Sequence, residues 1–77
     1  VDEEEVKLNL AHAYFHSKDT TNAVSKYQSL LASSNTAYKS IAHQQLGVIK
    51  NQQGQLEEAL QYFKQAIKAD PANKDAR

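Results

Sequence analysis

The sequence predicts an all-α protein: two antiparallel helix-turn-helix units stacked as a fragment of a right-handed helical solenoid. Three observations lead there. The 77 residues contain 11 Ala but only one Pro and two Gly, so helix formers abound and breakers are few. The sequence matches itself at an offset of 36 residues. Four apolar stripes follow one another at helical spacing.

The self-match pairs Leu10 with Leu46, Ala11 with Gly47, Ala23 with Ala59, Val24 with Leu60, Tyr27 with Phe63 and Leu31 with Ile67. Each pair agrees in size and polarity at one offset. In the second copy Leu56, Ala59, Leu60, Phe63, Ala66 and Ile67 step by three and four, while Glu57, Glu58, Gln61, Lys64, Gln65 and Lys68 fill the opposite face. Ala42, Leu46 and Ile49 form the stripe before it, ending ahead of Gly54. Glycine adopts the left-handed conformation cheaply, so it suits a helix stop. In the first copy Val6, Leu10, Ala13 and Tyr14 make one stripe and Thr20, Ala23, Val24, Tyr27, Leu30 and Leu31 the next.

These patterns predict helices over about 3–17, 20–33, 37–53 and 56–69. Asp2, with Glu5 three residues on, caps the first as a capping box, and the acidic run from Asp2 to Glu5 suits the positive end of its dipole. Asp19 or Thr20 caps the second. Ser33-Ser34-Asn35-Thr36 joins the copies. Asp70-Pro71 ends the fourth helix, and residues 71–77 read as the start of a fifth, so the chain reads as a piece of a longer protein. The expected core is Leu10, Tyr14, Ala23, Val24, Tyr27, Leu31, Leu46, Ala59, Leu60 and Phe63, with Phe63→Ala costing ~3–5 kcal/mol if buried.

Length and charge narrow the function. Residues 1–77 make one small domain. Nine basic and nine acidic residues balance, where a nucleic-acid module would show a basic surplus. No apolar run approaches the ~18 residues of a membrane span, which argues against direct insertion. There is no Cys, hence no disulfide and no thiolate metal site. His12 and His16 share a helix face but lack a third ligand, so no metal is expected. No serine stands in a nucleophile motif, no glycine-rich loop could cradle phosphate, and Glu57 and Glu58 point to different sides of their helix. No enzyme activity and no cofactor are expected.

The second copy carries Leu46-Gly47, Gly54, Ala59, Phe63, Ala66 and Pro71 at intervals that resemble the tetratricopeptide repeat. By this resemblance residues 4–37 form repeat 1, residues 40–73 repeat 2, and 74–77 begin a truncated third repeat or capping helix. Repeat 1 carries Leu10-Ala11, Tyr14, Ala23 and Tyr27 but has Lys18 and Asn35 in place of the turn Gly and the terminal Pro. Lys7 and His43 stand where a bulky aromatic often opens a repeat, and the second copy has Lys50 where the first has Tyr14, which thins both cores. Small residues on facing helices, Ala11 and Gly47 against Ala23 and Ala59, let backbones approach closely.

The resemblance implies a concave surface, lined by the first helix of each pair, that binds a peptide or extended segment of a partner protein. The lining positions are Glu5, Leu8, Asn9, His12, Phe15 and His16, then Ile41, Gln44, Gln45, Val48, Asn51 and Gln52. The residues expected to touch a partner are Asn9, His12, His16, Gln44, Gln45, Val48, Asn51 and Gln52. Amide side chains both donate and accept, which suits a peptide backbone. A clamp for a partner's terminal carboxylate is not expected, because Leu8, His12 and Gln45 replace its cation and amides. The alternative is a structural spacer that self-associates, as a homodimer, through apolar ends left open by a two-repeat stack.

Overall fold

The computed structural model describes residues 2–70. Four helices run in chain order: α1 (Glu3–His16), α2 (Thr20–Ser29), α3 (Thr36–Gln52) and α4 (Leu56–Ala69). No strand occurs among the described residues. Helices α1 and α2 form one antiparallel hairpin and α3 and α4 a second, and α3 also packs on α2 and touches α1. The expected fifth helix, the stop at Pro71 and a third repeat at 74–77 lie outside the described residues.

Each of the first three helices starts on a side-chain cap. Asp2 accepts from the Glu4 amide at 3.0 Å. Asp19, rather than Thr20, caps α2, accepting from the Asn22 amide at 3.3 Å and from its side-chain Nδ2 at 2.7 Å. Asn35 caps α3 by accepting from the amides of Ala37 and Tyr38. A cap satisfies donors that have no partner within the helix.

Helix α2 stops at Ser29, short of the expected 33. The Leu30, Leu31 and Ser33 amides donate to carbonyls three residues back, so the chain tightens there into successive turns. Ser29 Oγ also donates to the Lys26 carbonyl at 2.6 Å, competing for an acceptor of the last turn.

The two hairpin turns are built alike. The Asp19 amide donates to the Tyr14 carbonyl and the Lys18 amide to Phe15; 36 residues later Gln55 donates to Lys50 and Gly54 to Asn51. This is the Schellman closure, which requires a left-handed residue just past the helix. Gly54 meets that need at φ 77°, and Lys18 is held at φ 67°. A side chain there crowds its own backbone. Lys18→Gly should therefore stabilise the domain by ~0.5–1 kcal/mol, raising Tm by roughly 4–8 °C per kcal/mol. A lower Tm in thermal melts would show that the lysine stem contributes more packing than its backbone costs.

Leu8, Ala11, Ala23, Tyr27, Leu30, Ala42, Leu46 and Ile49 form the core cluster, and Ala59 and Ala66 bury the inner face of α4. Tyr14, Val24 and Leu31 pack against it half-buried. Two expected core residues are instead outside: Leu10 is 42% exposed and Leu60 52%. Leu46, the counterpart of Leu10, is fully buried because α3 has α2 on one side and α4 on the other. Leu10 lies on α1, whose outer side packs on no helix among the described residues. Phe63 is half-buried, with its ring over Gly47 so closely that a Cβ on Gly47 would come within 2.7 Å of it. The cost of Phe63→Ala accordingly falls below the range for full burial. Ser40, polar and fully buried, ties the hairpin together by donating to the Ala66 carbonyl at 2.7 Å.

Candidate functional site

Helix α3 touches α1, so a surface along the two helices spans both copies of the repeat. The residues expected along it meet different fates. Asn9, His16, Asn51 and Gln52 are exposed, while His12, Gln44, Gln45 and Val48 are half-buried. Phe15 and Ile41 are half-buried and lean on the core. Leu8, expected to line the groove, is instead 8% exposed and belongs to the core cluster. Its side of α1 turns toward the neighbouring helices, and Leu10 takes the outward position.

His12 is tied to the core. Its Nδ1 lies 2.5 Å from Tyr27 Oη on α2, and the rings meet edge-on at 5.5 Å and 62°. Burial pushes the Tyr27 hydroxyl up to about 12, so it keeps its proton and donates. Burial, and then the charge of His16, lower the His12 pKa, so the imidazole is neutral at neutral pH. A neutral ring that accepts at Nδ1 carries its proton on Nε2. The inward bond thus leaves His12 an N–H donor on its other nitrogen.

At the C-terminal ends of α1 and α3 the chain forms a cleft of about 400 Å³ lined by Phe15, His16, Lys18, Thr20 and Gln52. It unites His16 of the first copy with Gln52 of the second. Phe15 and His16 lie 5.9 Å apart with their rings tilted 52°. Lys18 and Thr20 were missed as lining residues. The signal available was the offset that equates the Lys18 turn with the Gly54 turn, since the second turn has no side chain to offer.

A second cleft, of about 420 Å³, opens between α3 and α4, lined by His43, Lys50, Glu58, Gln61, Tyr62 and Gln65. His43 and Lys50 are the two positions of repeat 2 that depart from the aromatic pattern. His43 faces α4, as its position on the helix predicts, with its ring 6.2 Å from Tyr62. Its Nδ1 is buried without a hydrogen-bond partner. Lys50 reaches across to Glu58 at 3.3 Å. Burial and then Lys39 lower the pKa of His43.

His12 and His43 together set a pH response. Both have folded pKa values below the ordinary 6.5, so below that pH the unfolded chain binds more protons than the native one. Their contribution is complete above the unfolded value and is lost as pH falls through 6.5 toward the folded values. Tm should therefore drop between about pH 7.5 and about pH 5.5, above the range where free carboxylates titrate. A Tm that rises on this acidification would contradict the burial of the two rings.

Among the described residues no cluster of three or more His, Asp or Glu could hold a metal ion, and no helix is long and apolar enough to cross a membrane.

Paired antiparallel helices that recur every 36 residues, with small residues where the pairs approach, define a helical-hairpin repeat protein. Residues 2–72 match the family described as tetratricopeptide repeat, and the chain belongs to that family. Its repeats are non-catalytic and generally serve as protein-interaction modules. Comparison with curated proteins and with solved structures finds no match.

Proposed function

We propose that residues 4–37 and 40–73 act as two repeats that bind an extended segment of a partner protein along α1 and α3, as part of a larger scaffold or adaptor. The observation that carries this is the cleft at the C-terminal ends of α1 and α3, where Phe15 offers an apolar wall and His16 and Gln52 offer polar groups. Asn9, Gln45 and Asn51 extend the amide surface along the same helices, and Val48 adds an apolar spot. His12 contributes the N–H of its Nε2. Such a surface recognises the amides and carbonyls of an extended backbone, with small apolar side chains between them.

The test is capture from a lysate by the wild-type chain and by a variant carrying His16→Ala, Gln45→Ala and Gln52→Ala. None of the three is in the core cluster, so helix content should be unchanged. The wild type should retain a protein that the variant loses. A peptide from that protein should then shift the NMR signals of Asn9, His12, Gln44, Gln45 and Val48. Equal capture by both chains, or shifts confined to Gln61, Lys64 and Lys68, would place the docking surface elsewhere.

A further inference from the structure

The apolar residues of α4 divide between two faces. Ala59 and Ala66 are buried, and Tyr62 packs against the core. Leu56 and Leu60 are 64% and 52% exposed, and Phe63 and Ile67, half-buried, continue their row at helical spacing. At the other end of the stack Val6, 44% exposed, and Leu10 form a row on α1.

Inside the chain the same two rows already meet. Shifted by 36 residues, the α4 row becomes Thr20, Val24, Tyr27 and Leu31 in and just after α2, and the α1 row becomes Ala42 and Leu46 in α3. Helices α2 and α3 pack together; Tyr27, Ala42 and Leu46 are fully buried there, and Val24 and Leu31 lie against the cluster. Among the described residues, the face left open on α4 is thus of the kind that α3 covers, and the face left open on α1 is of the kind that α2 covers.

We propose that a second copy of the chain docks head to tail, α4 of one chain against α1 of the next, antiparallel, repeating the α2–α3 contact. Charge agrees with this placement. Helix α1 begins after Asp2 with Glu3, Glu4 and Glu5 and ends at His16, with Lys18 in the turn beyond. Helix α4 has Glu57 and Glu58 in its first turn, and Lys64 and Lys68 lie toward its end. Antiparallel docking sets Lys64 and Lys68 beside the acidic start of α1, and Glu57 beside His16 and Lys18. Glu58 already pairs with Lys50 of its own chain. Parallel docking would oppose like charges at both ends. An α4–α4 pair would also match charge, but it leaves Val6 and Leu10 in water. The contact is heterologous, so each added chain presents a fresh end. It borders the α1–α3 cleft at His16 and Lys18.

Sedimentation of the 77-residue chain over a concentration series, alone and with two variants, tests the proposal. The average mass of the wild type should rise with concentration. Leu10→Glu blocks one end and Leu60→Glu the other, each placing an unpaired charge in the contact and weakening association by ~100-fold or more. Each variant alone should be monomeric. An equimolar mixture should form a 1:1 dimer and stop there, because each chain keeps the end that the other needs. Both leucines are exposed, so helix content should hold; Leu56→Glu replaces Leu60→Glu should the latter lose helix. A wild type that stays monomeric to about millimolar concentration overturns the proposal. So does a Leu10→Glu chain that still dimerises, which would assign the contact to α4 against α4.

Discussion

Tyr27→Ala is expected to leave the domain largely unfolded at room temperature. The side chain is fully buried at the centre of the cluster that joins α1, α2 and α3. Removing a buried aromatic of this size costs ~3–5 kcal/mol. A single core in a chain this short supplies only about that much in total. The hydroxyl adds a separate effect, because it donates to His12 Nδ1. Tyr27→Phe keeps the ring and leaves the imidazole nitrogen without its donor, a loss of ~0.5–1.5 kcal/mol. Urea denaturation followed by far-ultraviolet circular dichroism separates the two. If Tyr27→Ala unfolds cooperatively with a loss below about 1 kcal/mol, the ring is not the centre of the core.

The second large effect comes from comparing two leucines that occupy the same place in successive repeats. Leu46→Ala should cost ~2–5 kcal/mol, since Leu46 is fully buried between α2 and α4. Leu10→Ala should cost less than about 1 kcal/mol, because much of that side chain already meets water. Both are measured at low protein concentration, where contacts between chains do not contribute. Equal losses would mean that the outer side of α1 is covered within the single chain. The contrast isolates the contribution of a neighbouring helix from that of the residue, because the residue and its position in the repeat are the same.

Much of the architecture was legible because helices are local. Apolar spacing located all four helices, and the side-chain caps Asp2 and Asp19 sat where short polar residues precede a stripe. The small residues Ala23 and Ala59, and Tyr27 and Leu46, were recognisable as core from the 36-residue self-match, and all four are buried. Even the Lys18 turn was marked, since it aligns with Gly54, although only the backbone shows that lysine takes the glycine conformation. The end of α2 was less legible. Its apolar stripe runs on to Leu31, and what stops the helix is a set of turn hydrogen bonds rather than a break in the pattern.

The candidate site was legible in part. Spacing marked the two helices, and the tetratricopeptide resemblance implied a shared surface with Asn9, His12 and His16 on one and Gln44 to Gln52 on the other. Neither revealed that His12 bonds to a tyrosine 15 residues away, which ties up its Nδ1. Nor did they reveal that the wall of the cleft joins Phe15 and His16 to Gln52. Those are contacts between helices, and their partners depend on how the hairpins stack.

The sequence by itself determined the helices and turns, because each rests on residues within a few positions of one another, and the hairpins and the family pattern, because the same residue types recur at one offset of 36. Only the tertiary structure decided which apolar residues are buried. Leu10 and Leu46 look alike in sequence, as do Val24 and Leu60, yet one member of each pair packs and the other is exposed. Leu8 goes the other way, from an expected groove position into the core. The reason is that periodicity marks a face as apolar, whereas burial requires another surface against it. In a stack of hairpins that surface comes from the next repeat, so identical residues differ according to whether a neighbour stands on the far side.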